Sequence, residues 1–314
     1  MAERTVVIAL GGNAILQHRE TGTAEDQFEN VRKASRRIAE IAAEGYTVAV
    51  THGNGPQVGD ILLRNELAKD TLPPMPLDVC GAESQGMIGY MLQQSMQEAL
   101  REAGLDRPVA TVLTQTLVDG DDPAFESPEK PIGPFYTPMQ AKRLEAEKGW
   151  RMVRIPGEGY RRVVPSPRPI ALVEERAIVR LVSAGAIVIA AGGGGVPVVA
   201  DGGGALRGVE AVVDKDYTAA ILARLVGVED LLILTDVERV ALNYGRPDRQ
   251  EISEMTVREA REHLAAGQFP PGTMGPKIEA AIEFLETGGK RAIIASLEEA
   301  STALAGRAGT RLRP

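Results

Sequence analysis

The stretch TVVIALGGN, residues 5–13, is a short apolar run that ends in two glycines and an asparagine. The pattern recurs where residues 47–51 lead into His52-Gly53-Asn54-Gly55, and again where residues 186–190 lead into the four glycines 192–195. Apolar strand patterns that alternate with helical patterns are typical of a mainly parallel sheet covered on both faces by helices. The sequence therefore predicts an α/β fold.

The helical patterns lie between these runs. Thr23 and Asp26 form a capping-box pattern, with Asp in place of the usual Glu or Gln, and Gly45 is suited to end the helix that they begin. Pro56 suits the first turn of the next helix. We predict helices at residues 23–44, 78–103, 173–184, 216–226 and 276–286, strands at 109–118, 231–234 and 292–295, and a hairpin within 197–213.

Residues 119–169 differ from the rest of the chain. They hold nine prolines and five of the twelve aromatic residues. A disordered segment would lack such large apolar side chains. We therefore predict a small inserted subdomain with its own cluster of side chains.

Charge, cysteine content and hydrophobic pattern argue against nucleic-acid-binding, disulfide-bonded and membrane proteins. The chain has 314 residues and a formal net charge of -8, which makes a nucleic-acid partner a poor prediction. The single cysteine, Cys80, allows no internal disulfide and is typical of a reducing compartment. With no signal peptide or membrane-spanning pattern evident, we expect a cytoplasmic protein with no membrane partner.

The three glycine turns are candidate anion sites, because backbone N–H groups at the ends of parallel strands bind phosphate or carboxylate. Neither a P-loop nor a G-x-G-x-x-G fingerprint occurs. His18, His52 and His263 are far apart in the sequence and Cys80 is alone, so we expect no metal held by the protein.

Two lysines lie where a helix is predicted to begin. Lys215 stands between Asp214 and Asp216, and Lys277 follows a glycine-containing loop. Such residues are ordinarily a solvated helix cap or a surface cation. A cation at a helix start is also suited to a transferring phosphate, and the sequence alone leaves both interpretations open.

Six segments together resemble carbamate kinase: residues 9–14, 51–59, 131–136, 161–167, 208–216 and 272–277. The resemblance implies the amino-acid kinase fold, a three-layer αβα sandwich with an eight-stranded, mainly parallel sheet. It implies transfer of a phosphoryl group between ATP and carbamate, a place in arginine metabolism, and a homodimer. We expect the dimer to form through helices of the N-terminal part, including residues 78–103.

The resemblance also implies roles for individual residues. Substrate would be bound by Gly11, Gly12, Asn13, Gly53, Asn54 and Gly55. The catalytic group would be Lys130, Lys215, Asp216 and Lys277, with Asp216 orienting the lysines. ATP or ADP would be bound by Asp214, Lys215, Asp236, Tyr244, Met274, Gly275 and Lys277, and its phosphates would carry Mg²⁺.

One departure from the wider fold concerns the acceptor end. Many relatives carry a lysine in the first strand, where this chain has Ala9. In carbamate kinases a lysine of the insert, here Lys130, is thought to contribute instead. We expect one two-lobed domain, residues 1–314, with an acceptor lobe (1–210), a nucleotide lobe (211–314) and residues 119–169 as a lid.

Two alternatives stay open. A kinase of the same fold that acts on acetylglutamate, glutamate, aspartate or UMP would need a larger acceptor pocket. A non-catalytic nucleotide-binding regulator would be expected to lose the lysines, yet this chain keeps Lys130, Lys215 and Lys277.

Overall fold

The computed structural model describes residues 4–17 and 20–314. His18 and the side chain of Asn13 lie outside the described part. Within it the α-helices are α1 Ala24–Ala43, α2 Gly55–Ala68, α3 Leu77–Glu102, α4 Pro138–Lys148, α5 Glu175–Ser183, α6 Lys215–Leu225, α7 Val257–Ala265, α8 Met274–Glu286 and α9 Ala300–Leu304. The β-strands are β1 Arg4–Leu10, β2 Tyr46–His52, β3 Val109–Thr111, β4 Gln115–Val118, β5 Lys130–Tyr136, β6 Arg151–Ile155, β7 Gly159–Val164, β8 Pro169–Leu172, β9 Ile187–Ile189, β10 Val196–Ala200, β11 Leu206–Gly208, β12 Asp230–Thr235, β13 Ala241–Leu242, β14 Gln250–Glu251, β15 Glu254–Thr256, β16 Arg291–Ser296 and β17 Thr310–Arg313.

An eight-stranded sheet forms the centre of the molecule, in the order β15-β17-β16-β12-β1-β2-β9-β3. The neighbours of β1 are β2 and β12, and both pair with it in parallel. Strands β16 and β17 are the antiparallel pair of this sheet. The predicted α/β class, with a mainly parallel sheet, is confirmed.

Helices cover both faces of this sheet. In β1, Val7 and Ala9 pack on one face in a core shared with α5, α6 and α8. Ile8 and Leu10 pack on the other face in a core shared with α1, α3 and α9. Alternate residues of one buried strand therefore serve two separate cores, which is the reason that the strand is continuously apolar and the architecture has three layers.

Local signals fix the start and the end of α1 as predicted. Thr23 and Asp26 form the capping box of α1, and Gly45 after that helix has φ 92°, a conformation that favours glycine. Helix α8 begins at Met274, two residues before the predicted start at Pro276. No helix within residues 4–17 and 20–314 is long and apolar enough to cross a membrane.

The prediction of one strand over residues 109–118 is wrong. Strand β3 lies at the edge of the central sheet, whereas β4 pairs with β8 and β10 in a separate four-stranded sheet. The chain changes direction at Thr114, which exchanges two hydrogen bonds of 2.9 Å with the side chain of Gln85 on α3. The partner that turns the chain is remote in sequence, so apolar patterning alone gave no sign of the break.

The inserted segment has its own sheet, β5-β7-β6, and its own helix, α4. Tyr136 and Trp150 meet edge to face with ring centroids 6.4 Å apart. Ile132 packs with Val58 and Ile61 of α2 in a small buried cluster. The insert therefore rests on α2, beside the turn that follows β2. The residue limits of the lid and the two lobes stay a prediction.

Candidate active site at the carboxyl ends of the parallel strands

Two of the predicted anion turns touch each other. Gly53 donates its N–H to the carbonyl of Leu10 at 3.1 Å. A Cβ built on Gly53 would lie 3.2 Å from the amide nitrogen of Gly12 and 3.6 Å from Cδ of Lys215. A side chain at Gly53 would therefore occupy the space between the two turns and the lysine, so glycine keeps that space open for a small ligand.

The third glycine turn packs against the second. Gly193 has φ 65°, and a Cβ on it would lie 2.1 Å from Nδ2 of Asn54. Asn54 donates from this nitrogen to Oγ of Ser84 on α3 at 2.7 Å. Ala191, which leads into the turn, has the unusual φ of 53° for a residue with a side chain. The structure thus brings the three turns together, with Asn54 between the second and the third.

His52 is a buried part of this arrangement. Its side chain is 1% exposed, and Nδ1 donates to the carbonyl of Gly53 at 3.0 Å. A Cβ on Gly192 would lie 2.4 Å from Nε2. Burial, helped by the charge of Lys215, lowers the pKa of His52 to about 4, although the bond to Gly53 opposes this. The neutral imidazole of His52 therefore lies between the turn at Gly53 and the turn at Gly192.

Two lysines share one buried carboxylate. Nζ of Lys215 lies 2.5 Å from Oδ1 of Asp216, and Nζ of Lys277 lies 2.8 Å from Oδ2. The side chains of Lys215 and Lys277 are 11% and 13% exposed, and that of Asp216 is 3% exposed. The two lysine side chains are therefore largely enclosed, because α6 and α8 pack together around them.

The charges in this triplet depend on one another. Burial alone would raise the pKa of Asp216, but Lys215 and Lys277 outweigh it and hold the pKa at about 2. Burial lowers the pKa of Lys215, against the attraction of Asp216. Asp216 is therefore an anion at every ordinary pH and orients two ammonium groups side by side.

A cleft of about 820 Å³ opens beside these lysines. The predicted nucleotide residues Asp236, Tyr244 and Met274 line it together with Lys215 and Lys277. The remaining lining residues are Gly11, Gly12, Ala14, Gln17, Leu234, Thr235, Val237, Arg239, Ala241, Phe269, Pro270, Gly272, Thr273, Leu297 and Glu298.

Two residues that we predicted to bind nucleotide have other contacts. Asp214 caps α6 and pairs with Lys130, as described below. Gly275 is buried and donates its N–H to the carbonyl of Pro270 at 3.0 Å. Two other lining residues, Thr235 and Arg239, were not predicted: Thr235 is the last residue of β12 and Arg239 follows that strand. Their place at the carboxyl end of a buried parallel strand is the signal that could have identified them.

Lys130 lies at the first position of β5, in register with Val164 of β7. Its Nζ is 2.9 Å from Oδ2 of Asp214, and its side chain is 33% exposed. The insert therefore places a lysine next to the start of α6, the helix that carries Lys215 and Asp216.

Known proteins with similar sequences identify the family to which this chain belongs. Residues 4–296 match the model of the amino acid kinase family. A carbamate kinase from Thermococcus kodakarensis is 52% identical over 312 residues, which cover 98% of this chain and 99% of the relative. A carbamate kinase from Pyrococcus furiosus is 52% identical and covers 99% of both chains.

Solved structures agree with these relatives. The carbamate kinase from Giardia lamblia bound to AMP-PNP has a TM-score of 0.94 and 45% identity, and the match covers 99% of each chain. The same enzyme bound to citric acid has a TM-score of 0.91 and 44% identity, again over 99% of each chain. This chain belongs to the amino acid kinase family and, within it, to the carbamate kinases.

Proposed function

We propose that the protein is an enzyme that transfers a phosphoryl group reversibly between ATP and carbamate, so that ADP and carbamoyl phosphate give ATP and carbamate. The observation that carries this proposal is the pair of buried ammonium groups on Asp216, at the junction of the glycine turns and the large cleft. The relatives named carbamate kinase support the acceptor, and the neighbour bound to AMP-PNP supports a nucleotide.

The charges suit this chemistry. A transferring phosphoryl group needs in-line positioning and cations along its oxygens. Lys215 and Lys277 supply two such cations, and Asp216 fixes their direction before any ligand arrives. Carbamate is already an anionic nucleophile, so the reaction requires no catalytic base.

In this proposal the two substrates bind in different parts of the site. The turns at Gly12, Gly53 and Asn54 would hold carbamoyl phosphate, and the cleft at Asp236, Tyr244 and Met274 would hold the nucleotide. The close approach of Gly53 to Gly12 leaves little room, which favours a very small acceptor over acetylglutamate or UMP.

Mg²⁺ in this proposal is carried by the nucleotide, whose phosphate oxygens are ligands that this ion prefers. Within the described residues, no three His, Cys, Asp or Glu side chains come together as a possible metal cage. Beside the phosphates that carry Mg²⁺, the protein itself would contribute Lys215 and Lys277.

We also propose a homodimer that works in the cytoplasm, in arginine metabolism as the family resemblance implies. Helix α3 leaves Val79 and Tyr90 exposed by 37% and 59%, which gives the N-terminal part an apolar helix surface for a second copy.

The test is formation of ATP from ADP, carbamoyl phosphate and Mg²⁺, followed through hexokinase and glucose-6-phosphate dehydrogenase. Carbamoyl phosphate with coupling enzymes alone gives the spontaneous background. The reverse reaction is run with carbamate, acetylglutamate, glutamate, aspartate and UMP as acceptors. We expect ATP well above background and use of carbamate alone, whereas a folded protein with no activity on carbamoyl phosphate would disprove the proposal.

A further inference from the structure

The carboxylate of Asp214 has a different partner on each oxygen. Oδ1 accepts the N–H of Asp216 at 3.0 Å and so caps the first turn of α6. Oδ2 accepts from Nζ of Lys130 at 2.9 Å. The side chain of Asp214 thus joins Lys130 of the insert to the start of α6, the helix that carries Lys215.

Asp214 is suited to such a link because it is held rigidly. Its side chain is 12% exposed, and its backbone carbonyl also accepts the N–H of Thr218. An N-cap carboxylate is fixed by the helix that it caps and is favoured by the helix dipole. The oxygen that faces the insert therefore has a defined position.

Lys130 needs such a partner. Strand pairing fixes its backbone, but a lysine side chain is long and flexible, and the positive end of α6 repels a cation. A charge-assisted hydrogen bond to Asp214 offsets both effects and holds Nζ at the N-cap of α6, the residue directly before Lys215.

We propose that Asp214 is a positioning residue: it anchors the ammonium group of Lys130 at the acceptor end of the site through the ion pair between the insert and the N-cap of α6. The proposal rests on the proposed function, because Lys130 has a role in catalysis only if the protein uses carbamoyl phosphate. It assigns Asp214 to carbamoyl phosphate use and not to contact with the nucleotide.

The variant that isolates the anchor is Asp214→Asn. Asparagine caps a helix as well as aspartate does, so the bond to the N–H of Asp216 is retained while the negative charge is lost. Asp201→Asn is the matched control, because Oδ1 of Asp201 also accepts backbone N–H groups, from Gly203 and Ala205, in an exposed turn. Thermal unfolding of both variants shows whether the fold is intact.

The first measurement follows the anchor itself. Lysines are acetylated with a trace of acetic anhydride, and the rate at each site is read by peptide mass spectrometry. In Asp214→Asn we expect labelling of Lys130 to rise several-fold against the exposed Lys142 of α4, with no change in Asp201→Asn. Equal labelling of Lys130 in wild type and Asp214→Asn would overturn the proposal.

The second measurement is a double-mutant cycle on the reaction. Asp214→Asn should lower kcat/KM for carbamoyl phosphate by about tenfold, the scale of one charged hydrogen bond, and leave the KM for ADP within about twofold. In a Lys130→Ala background the same change should add almost nothing, because the group that it positions is gone. Additive losses, or an equal rise in the KM for ADP, would overturn the proposal.

The two assays separate the possible failures. A folded wild-type protein without phosphoryl transfer would disprove the proposed function, and with it the catalytic purpose of the anchor. The labelling of Lys130 would still decide whether Asp214 holds the lysine.

Discussion

Acid should destabilise the fold through His52, which ties two glycine turns together. Burial, with a smaller contribution from the charge of Lys215, lowers the pKa of His52 from 6.5 to about 4. The unfolded chain therefore takes up this proton near pH 6.5, whereas the folded chain resists it until about pH 4. The contribution of His52 to stability is complete above pH 6.5 and is lost as the pH falls towards 4.

The size of this effect follows from the two pKa values. Each unit of difference corresponds to about 1.4 kcal/mol between the protonation states. Between about pH 7.5 and about pH 5.0, proton uptake by the unfolded chain should remove about 2 kcal/mol from the free energy of unfolding.

The comparison uses His52→Asn, whose amide N–H replaces the Nδ1 donor to the carbonyl of Gly53 but does not titrate. Urea unfolding of wild type and variant is measured at both pH values and at one protein concentration. Wild type should lose about 2 kcal/mol more than the variant. His263→Asn, which changes a partly exposed ring at the edge of Phe269, is the matched control and should follow wild type. Parallel losses in wild type and His52→Asn would refute this reasoning.

Four further predictions concern the lysines and the assembly. Lys215→Ala and Lys277→Ala should each lower kcat by about 10²–10³, because each removes one preorganised charge; steady-state assays that found near wild-type turnover in either would contradict this. Both should also lower the unfolding temperature, because Asp216 is buried and would keep a single partner; unchanged melting curves would count against it. Lys130→Ala should raise the KM for carbamoyl phosphate and leave direct titration with ADP unchanged, and equal weakening of both would move Lys130 to the nucleotide end. Light scattering should give about twice the 33.5 kDa of one chain, and a mass of one chain at micromolar concentration would exclude the dimer.

Structural features that depend only on neighbouring residues in the sequence were predictable. The strand at residues 5–10, the capping box at Thr23 and the stop at Gly45 all follow from local preference, and the structure has each of them. The convergence of Gly12 and Gly53 was also predictable, because parallel neighbouring strands end at the same edge of a sheet.

Features that depend on distant partners were not predictable from patterns. The bend at Thr114 depends on Gln85, and the burial of Lys277 depends on the packing of α8 against α6. The family resemblance implied a nucleotide contact for Asp214, and its contact with Lys130, which joins residues 84 positions apart, has no signal in the sequence pattern. The roles of the individual site residues stay predictions until variants are measured.

The most direct test of the central claim is ³¹P NMR of ADP, carbamoyl phosphate and Mg²⁺ with the purified protein. We predict that the carbamoyl phosphate resonance falls while the γ-phosphate resonance of ATP rises by the same amount, and that Lys277→Ala slows both changes. Loss of carbamoyl phosphate to inorganic phosphate alone, at the rate of a sample without protein, would contradict it.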